Sequence, residues 1–153
     1  MKRFLALLLL AVFISGCSAQ EKQGIPARDA LLPDSYVGGL LGSPAKQAGG
    51  TRDDEAGLIR WAWEEADGTP KCLVVEIRFE PGDCDALYNA AQAGAGAVPI
   101  ATPAEAVGCY DGRAAHVRYG PYYIRIATLG VKDERSIAEL ISAKLVRELM
   151  PQQ

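Results

Sequence analysis

The sequence predicts an α+β fold: a twisted antiparallel sheet built from hairpins, one face covered by a short helix and a long C-terminal helix. Three observations predict it. Residues 58–79 and residues 113–129 each alternate apolar and polar side chains on both sides of a turn signal. "DERSIAELISAKLVRELM" near the C-terminus repeats apolar residues at three- and four-residue spacing. Strand pairs joined by hairpins and interrupted by helices belong to the α+β class rather than to a parallel α/β sheet.

Residues 30–50 are apolar but rich in Gly and Pro. They predict one short packed segment around Leu31, Leu32, Tyr36 and Val37, read as a strand near the sheet edge, and then a loop. "TRDDEAG" is charged and turn-forming. In "LIRWAWEEADGTPKCLVVEIRF", Ile59, Trp61 and Trp63 alternate with Arg60, Ala62 and Glu64. Beyond "ADGTP", Leu73, Val75, Ile77 and Phe79 alternate with Val74, Glu76 and Arg78. Period two around a turn predicts a β-hairpin whose odd-numbered residues are buried, which puts Cys72 on the opposite face.

Pro81-Gly82 ends that hairpin, and Asp83 is a helix cap whose carboxylate can accept from first-turn amides. The helix that follows carries a thin apolar stripe, Leu87, Ala90 and Ala91, and should end near Gly94. "AVPIA" predicts a short strand. "TPAE" has the spacing of a capping box and predicts a single helical turn before Gly108. In "RAAHVRYGPYYIRIATL", a two-residue Gly120-Pro121 turn sets Tyr119 against Tyr122, Val117 against Ile124 and Ala115 against Ile126. The same register sets Arg118 against Tyr123 and His116 against Arg125, so one register sorts apolar from polar on both strands. Asp111-Gly112 marks a turn before this hairpin, so Cys109-Tyr110 would end a third strand. In the last segment Ile137, Leu140, Ile141, Leu145 and Leu149 form the apolar stripe. Asp133 or Ser136 would cap it, and Lys144 and Arg147 sit where the helix dipole favours cations.

The chain begins with two cations, Lys2 and Arg3, followed by the apolar run "FLALLLLAVFI". A spanning helix needs about 20 apolar residues, so this shorter run reads as a signal peptide. It ends Ile14-Ser15-Gly16-Cys17, which resembles the lipobox of bacterial lipoproteins. That resemblance implies removal of residues 1–16 and lipidation of Cys17, a palmitate-bearing first residue that anchors the chain to the membrane. Ser18 follows where an Asp commonly retains such proteins at the inner membrane. By that resemblance the expected address is the cell envelope, at the outer membrane facing the periplasm in a Gram-negative host. Residues 17–29 are polar and contain Gly24 and Pro26, so they predict a tether. Residues 30–150 are then a single domain, long enough to bury its own core. Within it the arrangement loosely resembles the PsbP-like class of small envelope and photosystem accessory domains. "LLPDSYVGG" and "YGPYYIRI" likewise resemble a family of bacterial envelope proteins.

Loss of Lys2 and Arg3 takes the formal charge from −3 to −5. An acidic chain without a basic run argues against a nucleic-acid partner. Besides Cys17 there are three cysteines, Cys72, Cys84 and Cys109, which allow one disulfide and leave one over. Cys84 with Cys109 is the preferred pair, because Cys72 points away from the helix layer. Cys84, near a helix start, also reads as a reactive thiol. With one histidine, His116, and no metal-like cysteine spacing, no metal and no cofactor is expected.

The second sheet face should carry Arg60, Glu64, Cys72, Glu76, Arg78, His116, Arg118, Tyr123 and Arg125. Of these, Arg78, His116, Arg118, Tyr123 and Arg125 make the expected ligand or partner face, since guanidinium forks match carboxylates and phosphates. No catalytic set is expected. The functional reading is a membrane-anchored accessory or binding domain, without enzyme activity, for an envelope protein or glycan. Two alternatives stand beside it: a small-ligand carrier or sensor with a cleft between helices and sheet edge, and a thiol-dependent enzyme or redox protein using Cys72 or Cys84 with His116.

Overall fold

The computed structural model describes residues 26–66, 71–79 and 81–150. The expected signal peptide, Cys17, Ser18, most of the tether and the Asp67–Pro70 turn lie outside them. The elements are α1 (Arg28–Leu31), α2 (Asp34–Leu41), β1 (Ala45–Asp53), β2 (Leu58–Glu65), β3 (Cys72–Phe79), α3 (Pro81–Gln92), β4 (Val98–Pro99), β5 (Ala106–Tyr110), β6 (Ala114–Tyr119), β7 (Tyr122–Leu129) and α4 (Glu134–Leu149). The seven strands form one antiparallel sheet in the order β1-β2-β3-β7-β6-β5-β4. This is an α+β fold.

Both hairpins bury the parity expected of them, and the second has the expected register. Ile59, Trp61 and Trp63 lie opposite Ile77, Val75 and Leu73. Tyr119 lies opposite Tyr122, Val117 opposite Ile124 and His116 opposite Arg125. Gly120 takes φ 51°, and Pro121 forbids positive φ at the next position. A turn with positive φ at its first central residue alone is of the II′ kind, which matches strand twist.

On the first face β2, β3, β6 and β7 bury Trp61, Trp63, Val75, Ile77, Val117, Ile124 and Ile126. Ala138, Ile141, Leu145 and Val146 of α4 close over them. The buried stripe of α4 is turned from the expected one. Leu140 is 52% exposed, while Ala138 and Val146 are buried. Neither Asp133 nor Ser136 caps it by a side chain; Asp133 instead enters the helix at φ 71°.

The N-terminal segment is helical where a strand was expected. Elements begin at Arg28, inside the expected tether. Leu31, Leu32, Val37 and Leu41 are buried against the first face. Gly42 ends α2 at φ 79°, the left-handed position that glycine takes without strain. Asp34 accepts from the Trp63 indole N–H at 2.8 Å and also holds Arg28, tying α1 and α2 to β2. The strand comes later, as β1, in residues read as loop and turn. β1 is almost wholly exposed on both sides, so burial imposes no alternation on it, and it exists by pairing along β2. "TPAE" is not a helical turn. Glu105 sits at φ 69° and the Thr102 hydroxyl donates to the Ala106 carbonyl at 2.8 Å, leading straight into β5.

α3 departs most from expectation. It packs on the second face, against β5, β6 and β7, and not beside α4. The reason is topological. β3 pairs with β7, so the chain leaving β3 must reach the far edge before returning as β5, β6 and β7. α3 makes that crossing. α1 and α2 are therefore the short helical cover beside α4 on the first face.

Ile124 is fully buried in a central strand. Ile124→Ala should cost about 2–5 kcal/mol. Urea denaturation should show a lower midpoint with an unchanged slope.

Candidate functional site

Strand parity lines up side chains on the second face. Register places Arg60, Glu76, Arg125, His116 and Cys109 in one row across β2, β3, β7, β6 and β5. The next row holds Arg78, Tyr123 and Arg118. α3 covers the part of this face over β5, β6 and β7 with Cys84, Tyr88 and their neighbours. No helix packs on it over β1, β2 and most of β3. The expected partner face is thereby divided. His116 and Tyr123 are buried, at 6% and 4% exposure. Arg118 is held by Asp85 of α3. Of the expected partner face, Arg78 and Arg125 are half-buried at the margin of the covered part.

The covered part is a closed hydrogen-bond chain. His116 Nε2 lies 3.0 Å from Asp111 Oδ2, and Nδ1 lies 2.7 Å from the Tyr123 hydroxyl. Burial pushes the Asp111 carboxyl up, but the Ala114 and Arg113 backbone N–H groups and His116 hold it below its ordinary value. An ionised Asp111 can only accept, so Nε2 carries a proton and the Tyr123 O–H donates to Nδ1. Burial, opposed by the Arg125 charge, pushes the Tyr123 hydroxyl up to about 12. A neutral, buried phenol is a donor here, not a nucleophile.

Cys109, across from His116, was not paired with it by sequence reasoning, because β5 could not be registered without the third strand. Its thiol is pushed up by burial and then by the Asp111 charge. A nucleophilic cysteine needs a thiolate and a base with a nitrogen to spare. Here the thiol is disfavoured as an anion and both imidazole nitrogens are engaged. Cys72 is aligned with Leu129, four residues and two strand spacings from His116, roughly 16 Å away. The chain Asp111–His116–Tyr123 works as a clamp on the β5–β6 turn.

The expected Cys84–Cys109 disulfide does not form in this structure. The Cys84 thiol donates to the Arg78 and Pro121 carbonyls at 3.5 and 3.4 Å, at one end of the sheet. Cys109 aligns with Arg125, four residues along and two strands across from Pro121, roughly 16 Å by strand geometry. A disulfide requires Cα atoms within about 7 Å. Both thiols belong to one buried cluster with Tyr88 and Tyr123.

The open part is organised by Glu76, which is 7% exposed. Arg60 donates to its Oε2 from Nη2 at 2.6 Å and Nε at 3.2 Å, and Arg78 donates from Nε to Oε1 at 3.0 Å. Burial pushes this carboxyl up, but the hydrogen bonds and charges of Arg60 and Arg78 outweigh that and hold it below its ordinary value. Arg125 lies directly across from Glu76 and makes no ion pair among the described residues. Two guanidiniums therefore hold one carboxylate, and a third arginine stands across from it in the register. Beside them runs a groove of about 260 Å³ lined by Arg78, Asp83, Ala86, Leu87 and Ala90, so that α3 forms one wall. Among the described residues no group of three His, Cys, Asp or Glu side chains is placed to hold a metal. The arrangement suits an anion: donors aimed from a sheet floor, with an apolar helix wall alongside.

No protein-family model matches this chain, and no curated protein or solved structure matches it.

Two predictions follow from the site. Glu76 and Asp111 have folded-state values below their ordinary 4.5 and 3.8, so their stabilisation is full above those values and is lost as pH falls through the lower folded ones. Unfolding free energy should decline below about pH 5, and Glu76→Gln should lose about 1–3 kcal/mol at neutral pH while flattening that decline. With Cys17 replaced by serine, Ellman's reagent should label half-buried Cys72 first and Cys84 and Cys109 slowly. Unfolding without reductant should reveal all three thiols; finding one would restore the disulfide.

Proposed function

We propose that this chain is a lipid-anchored envelope protein whose α+β domain docks another envelope component without catalysing a reaction. The address rests on the lipobox-like Ile14-Ser15-Gly16-Cys17 and on Ser18, which favours the outer membrane facing the periplasm in a Gram-negative host. Among the described residues no helix is long and apolar enough to cross a membrane, so attachment through Cys17 is the anchoring device of this reading. The docking role is carried by one observation. The arginine-bearing part of the second face, beside α3, is left without a helix over it although Arg60 and Arg78 converge there on Glu76, with Arg125 across from it in the register.

A second reading, a small-ligand carrier, is favoured by a cleft on the other side of α3. It measures about 440 Å³ and is lined by Tyr88, Gln92, Ile100, Thr102, Val107 and Cys109 among others. That volume is in the range of small-molecule sites, roughly 300–1,000 Å³.

In-cell crosslinking of the lipidated chain, followed by mass spectrometry, tests the first reading. One dominant envelope partner is expected, with palmitate labelling of the bait, and both should disappear in Cys17→Ala. Labelling with no enriched partner would turn the reading to the carrier, for which a metabolite thermal-shift screen is the measurement.

A further inference from the structure

The groove beside α3 sets an arginine and an aspartate beside an apolar strip. Glu76 occupies Nε and Nη2 of Arg60 and Nε of Arg78. Those bonds orient two guanidinium planes and leave both terminal nitrogens of Arg78 unspent. Arg125, without an ion pair among the described residues, keeps its whole fork. The floor thus has an excess of two positive charges on a chain whose formal charge is −3. Asp83 lines the groove with Arg78 and repels an anion at its end of it, while Arg125 lies outside the lining, two residues along β7 from Tyr123, the register partner of Arg78. Ala86, Leu87 and Ala90 offer an apolar strip along the same groove, which a bare phosphate would leave unused.

We infer that the groove receives a short acidic peptide segment of the partner. One carboxylate is taken by the Arg125 and Arg78 guanidiniums, and a neighbouring apolar side chain lies against Ala86, Leu87 and Ala90. The inference rests on the docking reading above and adds the partner's chemistry. Arg78, already held by Glu76 through Nε, loses little freedom on binding, which favours affinity. A flat anionic membrane fits less well. α3 is about 10 Å thick and stands on the sheet, and its exposed Asp83 and Asp85 would meet the headgroups before the floor did.

Fluorescence anisotropy on the full chain carrying Cys17→Ser tests this. The probe is a labelled octapeptide of alternating Glu and Leu, and its control alternates Gln and Leu. The Glu–Leu probe should bind, and Arg125→Gln should weaken it about tenfold, equivalent to ~1.4 kcal/mol. Arg125→Lys should recover part of the loss, because it restores charge without the fork. Arg113→Gln, at an exposed position outside the groove, should change nothing. Arg125 has no ion pair to break, so its variants keep the fold, as circular dichroism would verify. Equal binding by wild type and Arg125→Gln, or equal binding of the Gln–Leu control, would overturn the inference. So would sedimentation with phosphatidylglycerol vesicles in the absence of peptide binding, which would make the floor a membrane contact. A partner recovered by crosslinking while the probe fails would leave the docking role intact and overturn only the acidic-peptide assignment.

Discussion

The pairing of β3 with β7 joins the two halves of the sheet across a long gap in the chain, and the architecture of the second face depends on it. Because β3 ends in the middle of the sheet, the chain must cross to the far edge before it can meander back. A helix makes that crossing, and it lies on the face that α4 does not use. Its landing over β5, β6 and β7 buries His116 and Tyr123 and leaves the arginines that hold Glu76 without a helix over them. One strand pairing thus decides which polar residues become interior structure and which remain able to meet a ligand.

The two parts handle buried polarity differently. Under α3 each group is satisfied by a neighbour: Asp111 accepts from two backbone amides and His116, and His116 from Tyr123. A buried network that is fully satisfied rigidifies its surroundings; a half-satisfied one costs more than an apolar core would. In the open part Glu76 is nearly buried, but Arg60 and Arg78 still reach water. Their charges are partly screened there, so the cluster adds less to stability than a sealed one and keeps donors exposed for exchange. That contrast makes the covered row structural and the open row the candidate site.

Both hairpins were legible because the information is local. Alternation over a few residues and one turn determine which side chains share a face, down to Val117 opposite Ile124. α4 was legible as a helix, but its buried stripe was misjudged: Leu140 fits the spacing and still faces water, while Ser142 is buried. Spacing states which residues can share a stripe, whereas the sheet beneath chooses among overlapping stripes. β1 left no pattern because neither of its faces is buried, and α2 was obscured by glycines whose helical use depends on the chain folding back at Gly42.

Of the candidate site, the arginines and their common face could be read from parity alone, since residues two apart on a strand point the same way. Which of them stay accessible could not, because cover comes from α3, an element distant in strand order whose side of the sheet no local pattern encodes. The same limit applies to the thiols. Sequence placed Cys84 on a helix and Cys109 at a strand end, but their separation is set by the sheet register and the crossing. By itself the sequence determined the class of fold, the buried face of both hairpins, the register of the second, the acidic charge and the lipobox-like N-terminus, because each is written in neighbouring residues. Only the tertiary structure decided what is covered, since burial of a polar side chain depends on long-range strand order and not on the residues beside it.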